Sequence, residues 1–401
     1  MQLYSEVMNA INSDIRGKNY YAALDLEQKG EKILKLNTGN PATFGFQMPE
    51  SVRSALISKI DRGLGYCDVR GMIDARLAIE QYHRSKNIQE FTVDDIFIGN
   101  GISEIAAMLA TALFDIGDEI LVPMPCYSLW VNEILLQHAV PVFYNCDESN
   151  SWNPDVDHIK SLVTNKTKAI VVINPNNPTG VLYDTNIMQE IVNIARENKI
   201  MILSDEIYDR IVFDEKEHVS IASLCDDVTV ITMNGLSKSH CLCGFRCGWL
   251  VTSGPLAARE QIAQALLKVA SIRLSANALM QTIIPDALAD TQYTAQMVKK
   301  GGRLFEQRKA TWEELDKLEC LSYVKNDAGF YIFPKIKDEF LRHEDDREFA
   351  HELLLSKHIL IVPGSGFSWE KPDHFRIVML PQPEELRIAM QKLGQFIQGM
   401  P

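Results

Sequence analysis

The sequence lacks the features that would place the protein in a membrane or on a polyanion. Its 401 residues contain no apolar run near the roughly 20 residues that a transmembrane helix needs. The start, MQLYSEVMNAINSDIRG, has no cationic stretch followed by an apolar core, so it does not resemble a signal peptide. There are 40 Lys and Arg against 53 Asp and Glu, for a formal net charge of -13. We therefore expect neither nucleic acid nor an anionic membrane as the main partner.

Paired cysteine motifs and nucleotide-binding motifs are also missing. The eight cysteines form no disulfide framework. Cys241, Cys243 and Cys247 are close in sequence, but their C-x-C-x3-C spacing lacks the C-x2-C arms and partner histidine of a structural zinc site. We expect no metal, and small buried thiols in a reducing cytoplasm. Without G-x-G-x-x-G or a Walker loop, nothing favours a dinucleotide or ATP.

The order of predicted elements indicates an α/β protein. A chain of 401 residues is too long for one ordinary core, so two domains are expected, although one large α/β unit is possible. From Val93 onward strands alternate with helices, which favours a largely parallel sheet. A long helix predicted over 293–318 bridges to a second, α+β unit of short strands and two helices.

One stretch, residues 233–249 (MNGLSKSHCLCGFRCGW), suggests covalent chemistry. It places Lys238 directly after Ser237, with Arg246 eight residues further on. A lysine amine forms a Schiff base with an aldehyde, and a guanidinium binds phosphate oxygens bidentately. A solvated lysine and arginine in a surface turn explain the stretch equally well. The other parts of such a site must decide between the two interpretations.

Candidate ligand-binding segments follow three predicted strands. Residues 100–104, between strand and helix, would offer free backbone N–H groups to a phosphate, although a plain capped helix is common. Tyr127 follows the next strand, where ligands of open α/β sheets lie, and could stack on a flat ring. The loop 174–180 (NPNNPTG) is rigid, and its amides are suited to a phenolate-type oxygen.

Two charged residues at the end of, or inside, apolar strands need partners. Asp205 ends a buried strand, where an unpaired carboxylate is costly, so a protonated pyridine nitrogen would suit it. A helix N-cap would also explain Asp205, but not Tyr208 three residues later. Arg376 lies in an apolar strand with no carboxylate beside it in sequence, so a substrate carboxylate is a candidate partner.

Together these segments resemble the class I, fold type I pyridoxal-phosphate aminotransferases over nearly the whole chain. The matching segments are GIS (101–103), NPNNPTG (174–180), DEIY (205–208), LSK (236–238) with GFR (244–246), and HFRI (374–377). Within the family the chain is most similar to the bacterial glutamate–pyruvate (alanine) aminotransferases. That similarity lies in IRG (15–17), LKLNTGNPATFGF (34–46), GYCD (65–68), GGRLFEQR (301–308) and DHFRIVML (373–380).

The resemblance implies roles for individual residues. Lys238 would form the Schiff base and then act as the base that moves a proton at the substrate Cα, and Asp205 would keep the pyridine nitrogen protonated. The cofactor contacts would be Ile102, Ser103, Tyr127, Asn177, Asp205, Tyr208, Ser237, Lys238, Arg246 and, from the neighbouring subunit, Tyr66. The substrate contacts would be Gly39, Asn177, Arg376 and Arg16.

The resemblance also implies an architecture. It predicts a large domain with a mostly parallel seven-stranded sheet between helices, and a smaller α+β domain. Residues 1–45 would form an N-terminal arm and part of the small domain, 46–290 the large cofactor-binding domain, and 291–401 the small C-terminal domain. Active sites would be shared across a homodimer.

The expected activity is a cytoplasmic ping-pong transfer from L-alanine to 2-oxoglutarate, giving pyruvate and L-glutamate. Aspartate, aromatic or branched-chain aminotransferases are the alternatives, and a β- or γ-eliminating enzyme is a more distant one. A ligand-sensing DNA-binding regulator would need a basic helix-turn-helix region, for which this acidic chain has no room. Two positions depart from the relatives, which have Arg at Cys241 and Tyr at Ser13. Arg16 is therefore a candidate for the distal carboxylate of glutamate.

Overall fold

A single eight-stranded sheet forms the centre of the computed structural model, which describes residues 3–399. Its strands are β2 (Ile96–Asn100), β3 (Glu119–Met124), β4 (Val140–Asp147), β5 (Asn153–Pro154), β6 (Thr167–Ile173), β7 (Met201–Asp205), β8 (Val230–Gly235) and β9 (Cys247–Ser253). Their order is β2-β9-β8-β7-β6-β3-β4-β5. The β3–β4, β3–β6, β6–β7 and β7–β8 pairs are parallel, whereas β9 is antiparallel to both of its neighbours. The predicted α/β class is confirmed.

Side chains of the central strands alternate between two apolar layers. In β6, Ile170 and Val172 belong to one buried cluster, and Val171 and Ile173 belong to another. Successive side chains of a strand point to opposite faces, so a parallel sheet covered on both faces needs a continuous apolar run. This is why the run KAIVVI predicts a central strand correctly.

Fifteen α-helices surround the sheets within the described residues. They are α1 (Lys18–Gln28), α2 (Glu50–Ser58), α3 (Ile73–Arg84), α4 (Ile102–Leu113), α5 (Ser128–Leu136), α6 (Val156–Leu162), α7 (Thr185–Asn198), α8 (Leu236–Ser239), α9 (Leu256–Ile272), α10 (Ala278–Gln281), α11 (Ile284–Ala289), α12 (Gln292–Val298), α13 (Arg303–Leu315), α14 (Asp346–Lys357) and α15 (Pro383–Gly399). In the part of the chain described here, no helix is both long and apolar enough to cross a lipid bilayer.

The sheet has one strand more than the seven expected. The additional strand, β5, is only two residues long and pairs antiparallel with β4 at the sheet edge. Proline donates no backbone hydrogen bond, so Pro154 is tolerated at an edge but not in a central strand. A segment this short, ending in proline, carries no sequence pattern that predicts a strand.

The long helix expected over 293–318 is two helices, α12 and α13. Gly301, between them, has a φ of +80°, which residues with a side chain rarely adopt. A Cβ at Gly302 would lie 2.3 Å from the backbone oxygen of Gln296, so only glycine allows the chain to pass there. The continuous-helix prediction was wrong because the apolar pattern continues across this glycine pair.

The remaining strands form three small sheets, and in one of them the N-terminal and C-terminal parts of the chain meet. They are β1 (Leu34–Lys35), β10 (Leu321–Ser322), β11 (Tyr331–Ile332), β12 (Lys335–Ile336), β13 (Ile359–Leu360), β14 (Val362–Pro363) and β15 (Phe375–Val378). The sheets are β1-β13, β10-β12 and β11-β15-β14. The parallel pairing of β1 with β13 brings the N-terminal segment to the C-terminal part, whereas the domain limits at 45/46 and 290/291 stay predictions.

Candidate active site

The candidate site is a cavity of about 760 Å³ at the carboxyl edge of the central sheet. Loops that follow parallel strands meet at this edge, which is where open α/β sheets bind ligands. The predicted residues that line it are Arg16, Gly39, Ile102, Ser103, Tyr127, Asn177, Asp205, Tyr208, Ser237, Lys238, Arg246 and Arg376. Segments that are distant in sequence therefore converge on one space.

Lys238 presents its amine to this cavity from the short helix α8, which begins directly after β8. The expected polar loop is thus a helical turn. The Lys238 Nζ donates a hydrogen bond to the Gly39 backbone oxygen at 2.8 Å, and the Cys243 Sγ lies 4.0 Å from it. No carboxylate within residues 3–399 forms an ion pair with this amine, which leaves it available for covalent chemistry.

Asp205 is the last residue of β7 and is only 4% exposed. Its carboxylate accepts hydrogen bonds from the Trp130 Nε1 and the Ile207 backbone N–H, each at 3.3 Å. Burial raises the pKa of Asp205 to about 6, because the charged form loses its hydration. A turn follows β7, so the alternative role as a helix N-cap does not apply. A cation at Asp205 would restore the ionised form.

The N-terminus of α4 and the Arg246 guanidinium form a cradle for an anion. A Cβ at Gly101, the residue before α4, would lie 2.3 Å from the Arg246 Nη2. A Cβ at Gly248 would lie 2.7 Å from the backbone nitrogen of Ile102. The glycines thus let the guanidinium approach the helix terminus, whose N–H groups and dipole favour negative charge. Ser103 and Ser237 add hydroxyl groups to the same wall.

Arg376 is the buried cation that the sequence predicts, at only 2% exposed. Its Nη1 donates to the Asn177 Oδ1 at 3.0 Å, and its Nη2 donates to the Asn37 backbone oxygen. Its Nε has no hydrogen-bond partner, and no carboxylate within residues 3–399 pairs with it. A buried guanidinium that has no carboxylate partner and a free N–H donor can bind a ligand carboxylate.

Tyr331, on β11, is a cavity residue that the sequence analysis missed. The hydroxyl groups of Tyr331 and Tyr208 lie 2.7 Å apart, and the Arg376 guanidinium lies 4.4 Å from the centre of the Tyr331 ring. A Cβ at Gly39 would lie 2.1 Å from the Tyr331 hydroxyl, so this loop position requires glycine. A tyrosine in a short apolar strand carries no sequence signal that separates ligand contact from packing.

The N-terminal segment and helix α5 contribute further cavity residues, and among these the sequence analysis singled out only the position of Ser13. Asn12, Ser13 and Ile15 line the cavity together with Arg16, as do Leu129 and Asn132 of α5. Tyr66, in contrast, is 82% exposed and is not part of the cavity wall of its own chain. Its expected contact with a neighbouring subunit stays a prediction.

The three clustered cysteines have separate environments. Cys243 lines the cavity, and its thiol donates to the Ser237 backbone oxygen at 2.9 Å. Burial raises the pKa of Cys241 to about 11 and that of Cys247 to about 12, so both are thiols at neutral pH. Cys247 donates to the Met280 backbone oxygen at 3.1 Å. Within residues 3–399 no cluster of histidine, cysteine and acidic side chains forms a candidate metal site.

The fold and the cavity together define an α/β enzyme. A lysine amine, a buried carboxyl, an anion cradle and a buried arginine surround one space, so the arrangement can hold a phosphorylated aldehyde beside a carboxylate-bearing substrate. Comparison with known proteins agrees with this class.

The family model "Aminotransferase class I and II" matches residues 31–393. The chain is 43% identical to the glutamate-pyruvate aminotransferase AlaA of Escherichia coli strain K12, over 96% of this chain and 95% of that protein. An aminotransferase structure from Escherichia coli superposes with a TM-score of 0.97 at 42% identity, covering 100% and 99% of the two chains. The alanine aminotransferase of Pyrococcus furiosus gives a TM-score of 0.93 at 37% identity, covering 99% and 100%. The protein belongs to the class I and II aminotransferases, as the sequence motifs indicate.

Proposed function

We propose that this aminotransferase uses pyridoxal 5′-phosphate to transfer the amino group of L-alanine to 2-oxoglutarate, giving pyruvate and L-glutamate. The observation that carries the proposal is that one cavity holds a lysine amine and a buried carboxyl, neither of which forms an ion pair within residues 3–399. The names of the Escherichia coli and Pyrococcus furiosus relatives support the substrate pair.

The residues of the cavity suit this cofactor. The raised pKa of Asp205 calls for a cation, which a protonated ring nitrogen supplies. The cradle at Gly101 and Arg246 suits a phosphate, with Ile102, Ser103 and Ser237 as further contacts. Tyr127 would stack on the ring. When bound, the cofactor supplies an aldehyde that bonds covalently to amines and a ring that withdraws electrons from the substrate Cα.

The protein groups would then position the reacting atoms and move protons. The Lys238 Nζ would bond the aldehyde carbon. Once the substrate amine has displaced it, the freed amine would move the proton from the substrate Cα to the carbon that had been the aldehyde carbon. Tyr208 would donate a hydrogen bond to the ring hydroxyl oxygen. Asn177 would do the same through its Nδ2, because its Oδ1 already accepts from Arg376. In a ping-pong sequence the first 2-oxo acid leaves before the second substrate binds.

Two cations would recognise the substrates. Arg376 would bind the α-carboxylate, near Gly39 and Asn177, since its buried Nε has no hydrogen-bond partner among the described residues. Arg16 would bind the distal carboxylate of glutamate and 2-oxoglutarate. Its guanidinium lines the cavity and makes no hydrogen bond or ion pair within residues 3–399.

We also propose a cytoplasmic homodimer with shared active sites, in which the partner subunit's Tyr66 completes the phosphate site. The exposed ring of Tyr66 supports the shared site, and the eight free cysteines suit a reducing compartment. Sedimentation would test the dimer, and cell fractionation would test the compartment.

A visible absorption spectrum tests the activity directly. The purified protein should be yellow, should bleach with L-alanine or L-glutamate, and should recover its colour with pyruvate or 2-oxoglutarate. Bleaching by L-aspartate or an aromatic amino acid instead would keep the mechanism and change the substrate. A colourless protein that takes up no added pyridoxal phosphate would contradict the proposal.

A further inference from the structure

The side chain of Asn132, on α5, holds the backbone of the N-terminal arm, which we define as residues 3–17. The Asn132 Oδ1 accepts from the Asn12 backbone N–H at 3.0 Å, and the Asn132 Nδ2 donates to the Asn12 backbone oxygen at 2.8 Å. An amide side chain carries the same donor and acceptor as a peptide group. Asn132 therefore binds the arm as one residue of a neighbouring strand would.

The arm is bound on its other side by the C-terminal part of the chain. The Asn12 side chain donates to the Ser365 backbone oxygen at 3.2 Å, and Arg347 forms an ion pair with Asp14 at 2.9 Å. The arm thus bridges α5 and the C-terminal part, over the cavity that both line. The hydrogen bonds of Asn132 attach the arm to the part of the molecule that is formed by the central sheet and its helices.

Residues next to this attachment face the substrate space. Ser13, Ile15 and Arg16 line the cavity. Because the Arg16 guanidinium makes no hydrogen bond or ion pair within residues 3–399, no other side chain holds it in place. Its position follows from the arm backbone, whose Arg16 N–H donates to the Ser13 oxygen at 2.9 Å.

We propose that Asn132 is a positioning residue that selects dicarboxylate substrates through the arm. By binding both polar groups of the Asn12 backbone, it keeps Arg16 where the distal carboxylate of a five-carbon dicarboxylate lies. Alanine and pyruvate have no such carboxylate, so Asn132 contributes little to their binding. This inference rests on the proposed substrate pair and adds the residue that sets the Arg16 position.

The variant Asn132→Ala removes both contacts with the arm. We expect the KM for 2-oxoglutarate and for L-glutamate to rise roughly tenfold, as the loss of two hydrogen bonds would allow. The KM for L-alanine, kcat and the visible spectrum should stay near wild type. The matched control is Asn193→Ala on α7, whose side-chain partners are Glu190 and Arg196 of its own helix. Equal effects on both substrates would overturn the selective role.

A second measurement does not depend on activity. Trypsin cleaves after arginine, and Arg16 is exposed, so the rate of cleavage after Arg16 reports how firmly the arm is held. Asn132→Ala should be cleaved several times faster than wild type and Asn193→Ala, as followed by mass spectrometry. An unchanged rate would overturn the arm contact.

A double variant separates action through the arm from direct contact. If Asn132 acts by placing Arg16, then Arg16→Ala combined with Asn132→Ala should have the same KM for 2-oxoglutarate as Arg16→Ala alone. Multiplying effects would show that Asn132 acts independently and would overturn the inference. If the wild-type protein does not use 2-oxoglutarate, the proposed function is wrong, and the tryptic rate still decides whether Asn132 holds the arm.

Discussion

The hydroxyl groups of Tyr331 and Tyr208 lie 2.7 Å apart, and their rings meet edge to face at 5.5 Å. Tyr331 also lies beneath the Arg376 guanidinium and against Gly39. The Tyr331 side chain therefore touches three residues of the candidate site. Tyr208 is the proposed contact of the cofactor ring hydroxyl, Arg376 is the proposed contact of the substrate α-carboxylate, and the Gly39 backbone oxygen accepts a hydrogen bond from Lys238. Tyr331 links three parts of the candidate site.

The variant Tyr331→Phe should therefore lower activity without unfolding the protein. It removes the hydrogen bond to Tyr208 but keeps the ring beneath Arg376, so we expect kcat/KM to fall about 3- to 10-fold, the equivalent of one hydrogen bond. Steady-state kinetics with L-alanine and 2-oxoglutarate would measure this. Tyr323→Phe, which removes a hydroxyl bonded to Asp316 and Trp312, is the control. Identical kinetics for wild type and Tyr331→Phe would refute the link.

The variant Lys238→Ala should abolish transamination. The proposed mechanism needs this amine twice, for holding the aldehyde and for moving the proton at Cα. We expect a folded protein that binds the cofactor loosely and lacks the absorption of a lysine-bound cofactor. Circular dichroism and a spectrum after gel filtration would test this, with Lys268→Ala on α9 as the control. Normal turnover in Lys238→Ala would exclude the assignment.

The variant Asp205→Ala should lower kcat by about two to four orders of magnitude, because the ring loses the group that keeps it protonated. Asp205→Asn keeps an oxygen for the Trp130 indole but lacks the negative charge, so it should lose activity similarly. Single-turnover rates with L-alanine would measure both. If Asp205→Asn retains the wild-type rate, the carboxylate charge is not needed.

The variant Arg376→Lys should weaken binding of every amino-acid substrate. Lysine cannot reproduce the geometry in which Arg376 contacts Asn177 and the Asn37 backbone while leaving a donor for the substrate. We expect kcat/KM to fall about 100-fold or more, since removing one partner of a buried pair costs about 3–5 kcal/mol. The control is Arg387→Lys on α15, which has surface acidic partners. A loss confined to one substrate would contradict an α-carboxylate role.

His374 should make stability depend on pH. Burial alone would lower the pKa of His374. The hydrogen bond between its Nδ1 and Asp373 and the negative charge of Glu148, which lies 3.5 Å from its Nε2, outweigh burial and raise the pKa above its ordinary value of 6.5. The Lys335 ammonium also lies 3.7 Å from Asp373. A raised histidine pKa contributes stability that is complete below the unfolded value and is lost as pH rises through the folded value.

We therefore expect His374→Gln to lower the unfolding free energy by about 1.5–3 kcal/mol at pH 5.5, and by less at pH 9. At low pH the variant loses the attraction between a protonated imidazole and the Asp373 carboxylate, whereas at high pH the imidazole of the wild type is itself neutral. Apparent melting temperatures of both proteins at the two pH values would measure this. The same difference at both values would mean that His374 does not change its charge between them, which would contradict the prediction.

Local sequence was sufficient to single out Asp205 and Arg376, because each lies at the end of, or inside, an apolar strand, where an unpaired charge is costly. Lys238 needed the other segments of the site as well, since a surface turn explains its own stretch equally well. The loop 174–180 is equally distinct, since its two Asn-Pro steps restrict the backbone. From the sequence alone, these patterns predicted the family and predicted that the site lies at the carboxyl edge of the sheet.

Only the tertiary structure identified Tyr331 and Asn132 as cavity residues. Each lies in an element whose sequence pattern is that of packing, and each acts through a partner more than a hundred residues away. The short edge strand β5 and the break between α12 and α13 were missed for a related reason, because their local patterns are too brief or too continuous to mark a boundary. A local sequence pattern indicates which side chains of one segment are buried. Which side chains from distant segments come into contact is decided by how those segments pack together.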